Sequence, residues 1–139
     1  MQRIMAIDYG DERTGIAVSD LMQMLCGEVY TMNEWDPEKL SAGISKAAKL
    51  RNVGTLVLGL PRNMDGSEGP RAEKSRAFRE MLEKDSGLPV VMWDERLTTV
   101  EAHGILHAAG QREKFYRERI DGVAASLILE SYLGSLKNK

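Results

Sequence analysis

The 139-residue sequence has one cysteine, two histidines and no long apolar run. Cys26 cannot form an internal disulfide, and the lack of a Cys/His cluster argues against a structural zinc site. No apolar segment approaches the ~20 residues needed to span a bilayer, and the acidic Asp8 comes too early for a signal peptide. The sequence therefore predicts a cytoplasmic protein that does not bind membranes.

An excess of positive charge is also missing, since 19 Lys and Arg residues face 21 Asp and Glu residues and the net charge is −2. Binding of nucleic acid through overall charge is therefore disfavoured, although local basic patches remain compatible with the composition. A hydrophobic content of 42% in 139 residues suffices for one domain with a core, and the length is short for two. We expect a single domain spanning residues 1–139.

Apolar runs alternate with helical patterns, which indicates an α/β architecture. Strands are predicted at residues 3–9, 14–20, 26–32, 55–60 and 89–94. Helices are predicted from Asp36-Pro37, from Pro70 to Ser86-Gly87, from Thr98 or Thr99 to about Gly110, and from about Ile120 to Leu136. The last helix has a predicted apolar face of Ile120, Val123, Ala124, Leu127, Ile128 and Leu133.

This order predicts a mixed five-stranded sheet flanked by helices. A three-strand antiparallel meander comes first, and two parallel strands follow it. The strand at residues 55–60 is expected between the first and last strands. Such a pattern matches an RNase H-like fold.

Two acidic residues stand at strand ends, where ligands collect in open α/β sheets. Asp8 ends the first strand, although an aspartate there is equally typical of a turn. Asp94 and Glu95 end the last strand, and neighbouring strand residues point to opposite faces. Glu95 is the favoured site residue because the chain leaves the strand there. Gly59 adds no obstructing side chain between the first and last strands. Asp8 and Glu95 could therefore hold one or two Mg²⁺ or Mn²⁺ ions.

Asp121 is the third acidic candidate. Helical spacing puts it on the side of Ala125 and Ile128, where an aspartate needs a partner such as a shared cation. The alternative is that Asp121 is the N-cap of the last helix. Three such carboxylates would suit metal-assisted phosphodiester hydrolysis. His103 and His107 are one helical turn apart, but they are interpreted as surface or packing residues.

Basic residues flank the proposed acidic site in the sequence. We select Arg13, Arg62, Arg71 and Arg96 as candidate nucleic-acid contacts, because phosphate positioning needs only a few such groups. Most other basic residues alternate with glutamates and are interpreted as solvated surface charge.

Four ordered segments resemble the YqgF/RuvX family: IDYGDERTGIAVSD, GLPRNMDGSEGPRA, WDERLTT and IDGVAASLILESYL. They extend from the first strand to the last helix. The resemblance implies an RNase H-like fold related to the RuvC resolvases and a divalent-metal nuclease, a hydrolase acting on ester bonds. The family's acidic positions fall on Asp8, Glu95 and Asp121.

The family is described both as a nuclease for the 5′ end of precursor 16S ribosomal RNA and as a Holliday junction resolvase. We rank ribosomal RNA processing first, with the protein as a monomer or weak homodimer. A non-catalytic nucleic-acid-binding module with the same fold is a further alternative. An actin-like sugar kinase or ATPase also begins with an Asp-x-Gly turn, but it needs two large lobes, for which this chain is short.

Overall fold

The computed structural model describes residues 2–96 and 113–137, with side chains from Gly122 onward in the second stretch. Its strands are β1 (Arg3–Asp8), β2 (Thr14–Ser19), β3 (Cys26–Met32), β4 (Val53–Leu60) and β5 (Val90–Asp94). Its helices are α1 (Pro37–Leu50), α2 (Pro70–Ser86) and α3 (Glu113–Lys137). None of the helices in these two stretches is long and apolar enough to cross a membrane.

The five strands form one sheet in the order β3-β2-β1-β4-β5. β2 pairs antiparallel with both β1 and β3, whereas β4 pairs parallel with β1 and β5. The predicted meander followed by two parallel strands is therefore confirmed, as is the central position of β4. The carboxyl ends of β1, β4 and β5 consequently meet at one edge of the sheet, which we call the carboxyl edge.

The ends of α1 and α2 follow the predicted capping chemistry. The Asp36 side chain accepts a hydrogen bond from the amide of Glu38 at 3.0 Å, and Pro37 occupies the first turn of α1. α2 begins at Pro70 and ends before Gly87, whose φ of 70° is in the left-handed region that favours glycine. These local signals were sufficient to predict both helices.

Alternation along the strands divides the core between the two faces of the sheet. One face packs against α1 and α2, and its core includes Met5, Ile7, Leu56, Leu58, Phe78 and Leu82. The other face packs against α3, and its core includes Ile4, Ala6, Val57, Ala125, Ile128 and Leu129. Any strand residue can therefore be assigned to the α1/α2 side or the α3 side by its position.

The last helix differs from the prediction at its start and in its apolar face. It begins at Glu113 instead of about Ile120, because residues 113–120 include Glu, Lys and Arg side chains that favour helices. Ala125, Ile128, Leu129 and Leu133 pack in the core, while the predicted Val123 and Ala124 are only half-buried. The short helix predicted between Thr98 and Gly110, and His103 and His107 with it, lie outside the described residues.

Candidate functional site

The registers of the parallel strands align the candidate acidic residues at the carboxyl edge. Ile7 of β1 is level with Leu58 of β4, and Gly59 is level with Trp93 of β5. Asp8 therefore ends β1 level with Gly59, while Glu95 directly follows the last residue of β5. The Glu95 amide donates a 3.1 Å hydrogen bond to the carbonyl of Leu60, which keeps it beside the end of β4.

Strand alternation puts Asp8, Gly59 and Glu95 on the α3 side. The residues two positions earlier, Ala6, Val57 and Trp93, all pack in or against the core under α3. Because side chains repeat their direction every second residue, the three residues at the edge share that face. The choice of Glu95 over Asp94 as the residue beside Asp8 agrees with this geometry.

Gly59 is the residue over which the Glu95 side chain lies. A Cβ atom at position 59 would be 2.6 Å from Oε1 of Glu95 and 2.8 Å from Cδ1 of Ile128 in α3. No larger residue fits there without moving one of these groups. The Glu95 carboxylate is therefore held one strand spacing, ~4.8 Å, from the strand that ends in Asp8.

A second glycine shapes the connection after Asp8. A Cβ atom at Gly10 would collide with the carbonyl oxygen of Arg13. The Gly10 amide also donates a 3.3 Å hydrogen bond to Oγ1 of Thr14, the first residue of β2. Because this turn is tight, the chain re-enters the sheet at Thr14, the start of β2.

Asp94 lies on the opposite side of the sheet and is paired with arginines. Its carboxylate accepts hydrogen bonds from Nη2 of Arg96 at 2.7 Å and from the Arg96 amide at 2.9 Å. Nη1 of Arg62 is 3.8 Å away. The bonded Arg96 guanidinium, with its positive charge, holds the pKa of Asp94 below its usual range.

The predicted nucleic-acid contacts fall into two groups. Arg62 and Arg96 are engaged within the chain, since Arg62 also lies 3.5 Å from Glu68. Arg13 and Arg71 have exposed side chains. Arg71 lines a small depression with Gly10 and other residues of the same edge, whereas Arg13 lies in the β1–β2 turn.

Asp121 lies inside α3, eight residues after its first residue, Glu113. The N-cap alternative is therefore wrong, since a cap flanks the first turn. The side chain of Asp121 is outside the described residues. Among the side chains that are described, no three His, Cys, Asp or Glu residues are grouped closely enough to hold a metal ion.

Sequence comparison identifies the family. Residues 2–135 match the family described as RuvX, Holliday junction resolvase. The chain belongs to the RuvX family. A relative from Halothermothrix orenii, named "Putative pre-16S rRNA nuclease", is 44% identical over 131 residues, which cover 94% of each protein. The predicted family resemblance is thereby confirmed.

Two solved structures share a similar fold with this chain. Fowlpox virus resolvase, in a complex with substrate Holliday junction DNA, has a TM-score of 0.61 and 13% identity over 97% of this RuvX-family chain and 99% of its own. T. thermophilus RuvC with a Holliday junction substrate has a TM-score of 0.53 and 12% identity over 97% and 98%. At such identities the likeness shows the fold, and it confirms the RNase H-like architecture.

Sequence reasoning missed one feature of this RuvX-family chain, an aromatic cleft on the α1/α2 side of the carboxyl edge. The Tyr9 ring stacks on Phe78 with centroids 4.2 Å apart and planes 7° apart. Burial raises the pKa of Tyr9, with a smaller contribution from the charge of Asp11. Trp35 lines the same cleft. The available signal was a tryptophan in the otherwise polar segment Asn33-Glu34-Trp35-Asp36.

Proposed function

We propose that this protein is a metal-dependent endonuclease that hydrolyses phosphodiester bonds in structured nucleic acid. The main observation in support is that Asp8 and Glu95 lie on one face at the carboxyl edge, with Gly59 between them. The most favoured substrate is the 5′ end of precursor 16S ribosomal RNA, in keeping with the name of the relative from Halothermothrix orenii. Such processing would take place in the cytoplasm.

The residues fit Mg²⁺ or Mn²⁺, because both ions prefer carboxylate oxygens. Asp8 and Glu95 would hold one or two ions, and Asp121 would be the third ligand. Asp121 precedes Ile128 by two helical turns, and Ile128 is the residue that approaches Gly59. A bound ion supplies Lewis-acid activation of water and stabilisation of the leaving oxygen.

The protein's own residues then position the reacting groups. The Glu95 side chain lies over Gly59, where a Cβ atom would be 2.6 Å from its Oε1, so the missing side chain at position 59 leaves room for the carboxylate. Arg13 and Arg71 would contact substrate phosphates, which orients the strand without reading its sequence. Arg62 and Arg96 would contribute less to phosphate binding, because Asp94 and Glu68 already offset part of their charge.

The second candidate is Holliday junction resolution, which the family description favours. A resolvase cuts two strands symmetrically and should therefore act as a dimer. A precursor-RNA nuclease can act as a monomer or weak homodimer. Measuring the mass in solution with and without a four-way DNA junction separates these cases, since junction-dependent dimers favour the resolvase.

To test this function, cleavage of a structured precursor RNA and of a four-way DNA junction by the purified protein is measured, each with Mg²⁺ or Mn²⁺. We expect cleavage that needs the metal and that Asp8→Asn lowers by about two orders of magnitude or more. Circular dichroism of the variant checks that it remains folded. Cleavage at the wild-type rate by pure Asp8→Asn protein, or cleavage without metal, contradicts the mechanism. Binding without cleavage of either substrate supports the non-catalytic alternative.

A further inference from the structure

The aromatic cleft lies beside the candidate nuclease site but on the other side of the sheet. It has a volume of about 300 Å³, at the lower end of the range for small-molecule sites. Tyr9 and Phe78 form its stacked inner wall, and Trp35 lies at its rim with 75% of its surface exposed. The cleft is therefore large enough for a planar ring of modest size, and three aromatic side chains line it.

Basic side chains border the cleft on the side nearest β1. Lys74 lines both the cleft and the depression beside it, where Arg71 and Gly10 also lie. Nζ of Lys74 is 3.6 Å from Asp11, but both side chains are largely exposed, so water and salt weaken this ion pair. Lys74 and Arg71 thus put two cations next to an aromatic cavity, a combination typical of single-stranded nucleic-acid binding.

The chain connects this cleft directly to the acidic site. Asp8 and Tyr9 are consecutive residues, and Tyr9 packs against the α1/α2 core while Asp8 faces α3. A strand lying across the carboxyl edge could therefore present a phosphate to Asp8 and turn a neighbouring base to the opposite side. An unpaired base can take this position, whereas a base within a continuous duplex remains stacked and paired.

We propose that the cleft binds an unpaired nucleobase of the substrate, stacked on Trp35, while Lys74 and Arg71 contact the flanking phosphates. This inference rests on the proposed nuclease function and narrows its substrate to strands with an unstacked base beside the cut. The size of the cleft and its adjacent cations favour a nucleotide over a protein segment. An uninterrupted duplex should bind less well than a loop or a junction.

Binding can be measured without cleavage, in a metal-free buffer that contains a chelator. The probe is a fluorescently labelled single-stranded adenine tetranucleotide, and the comparison ligand is the same backbone without bases. We expect Trp35→Ala to weaken tetranucleotide binding about tenfold, because stacking on an aromatic side chain supplies much of the affinity for single strands. Trp35→Phe should restore most of the affinity, and Ala77→Phe, which fills the cleft, should weaken binding while Trp35 is present.

Leu50→Ala is the matched control, since Leu50 is also 75% exposed but ends α1, away from the carboxyl edge. Its affinity should equal that of the wild type. In a Trp93→Phe background, Trp35 is the remaining tryptophan, and its fluorescence should be quenched by the tetranucleotide and not by the base-free backbone.

Equal binding of the base-containing and base-free ligands overturns the proposal, as does wild-type affinity in both Trp35→Ala and Ala77→Phe. These outcomes leave the nuclease function intact if Asp8-dependent cleavage is observed. Conversely, base-dependent binding through Trp35 without Asp8-dependent cleavage supports the cleft and contradicts the proposed catalytic function.

Discussion

The neighbouring carboxylates of Glu95 and Asp94 have different surroundings on the two sides of the carboxyl edge. On the α3 side, the Glu95 side chain lies over Gly59, which Ile128 of α3 also approaches. On the α1/α2 side, Asp94 accepts hydrogen bonds from Arg96 and lies near Arg62. One residue along the strand thus separates the side that carries Asp8 and Glu95 from the side on which Asp94 pairs with Arg96 and lies near Arg62.

The role proposed for each side differs accordingly. Two acidic residues with a glycine between them suit metal binding, as proposed for Asp8 and Glu95. The arginine-bound Asp94 instead links the end of β5 to the loop after β4, because Nη1 of Arg96 also lies 3.5 Å from the carbonyl of Met64. The contrast predicts that substitution of Glu95 mainly lowers activity, whereas substitution of Asp94 mainly lowers stability.

The largest expected effect comes from replacing Glu95 and Asp94, in separate variants, by the corresponding amides. Glu95→Gln should lower metal-dependent cleavage by about two orders of magnitude or more, because it removes a proposed ligand. Asp94→Asn should retain cleavage close to the wild-type rate. Initial rates on the same RNA and junction substrates measure both. Similar losses in the two variants would break the distinction between the sides.

Asp121→Asn tests whether α3 completes the acidic side. The metal concentration required for half-maximal cleavage should rise about tenfold or more, while the variant stays folded because Asp121 is not an N-cap. A metal titration of cleavage, with thermal unfolding alongside, provides the measurement. Glu130→Gln, on the exposed surface of the same helix, is the matched control. Lower stability with unchanged metal dependence would contradict a ligand role.

Gly59→Ala tests the packing that positions Glu95. The new Cβ atom would be within 3 Å of both Glu95 and Ile128, so one of them must move. We expect a loss of about 1–3 kcal/mol in the free energy of unfolding and about a tenfold loss of cleavage. Urea unfolding and initial rates measure the two effects.

Gly43→Ala is the control for Gly59→Ala, since a Cβ atom at position 43 of α1 meets nothing within 4 Å. It should leave cleavage unchanged and add up to about 1 kcal/mol of stability. Wild-type cleavage by Gly59→Ala would show that the position of Glu95 over β4 is not required.

The smallest effect concerns the pH dependence of the arginine-bound side. Because Arg96 lowers the pKa of Asp94 in the folded protein, the pair stabilises the fold above the unfolded pKa of about 3.9 and loses this effect as pH falls below it. Asp94→Asn should therefore cost about 0.5–1 kcal/mol at pH 7 and less at pH 3. Urea unfolding at both pH values measures the difference.

Arg96→Gln should produce the same loss at pH 7, and combining it with Asp94→Asn should add little, since both remove one interaction. A loss that is equally large at pH 3 would mean that the Asp94 charge is not responsible. That result would contradict the claim that pairing of the Asp94 charge with arginine stabilises the α1/α2 side.

Local patterns predicted most of the fold, because short apolar runs and helix caps act over neighbouring residues. β3 has the predicted bounds, and the helix that starts at Pro37 has the predicted cap. The start of α3 was predicted seven residues late, since residues 113–120 were interpreted mainly as charged surface and not as helix formers. Alternation was the underused signal, because Ala6, Val57 and Trp93 already assign Asp8, Gly59 and Glu95 to one face.

By itself, the sequence determined the strands, the first two helices, the family and the candidate acids Asp8, Glu95 and Asp121. It did so because strand periods, caps and motifs are encoded by residues close together in the chain. Only the tertiary structure decided that Glu95 lies over Gly59, that Arg62 and Arg96 are engaged with Asp94, and that Trp35 joins Tyr9 and Phe78 in a cleft. These contacts join distant segments, and their geometry depends on how the sheet and its helices pack.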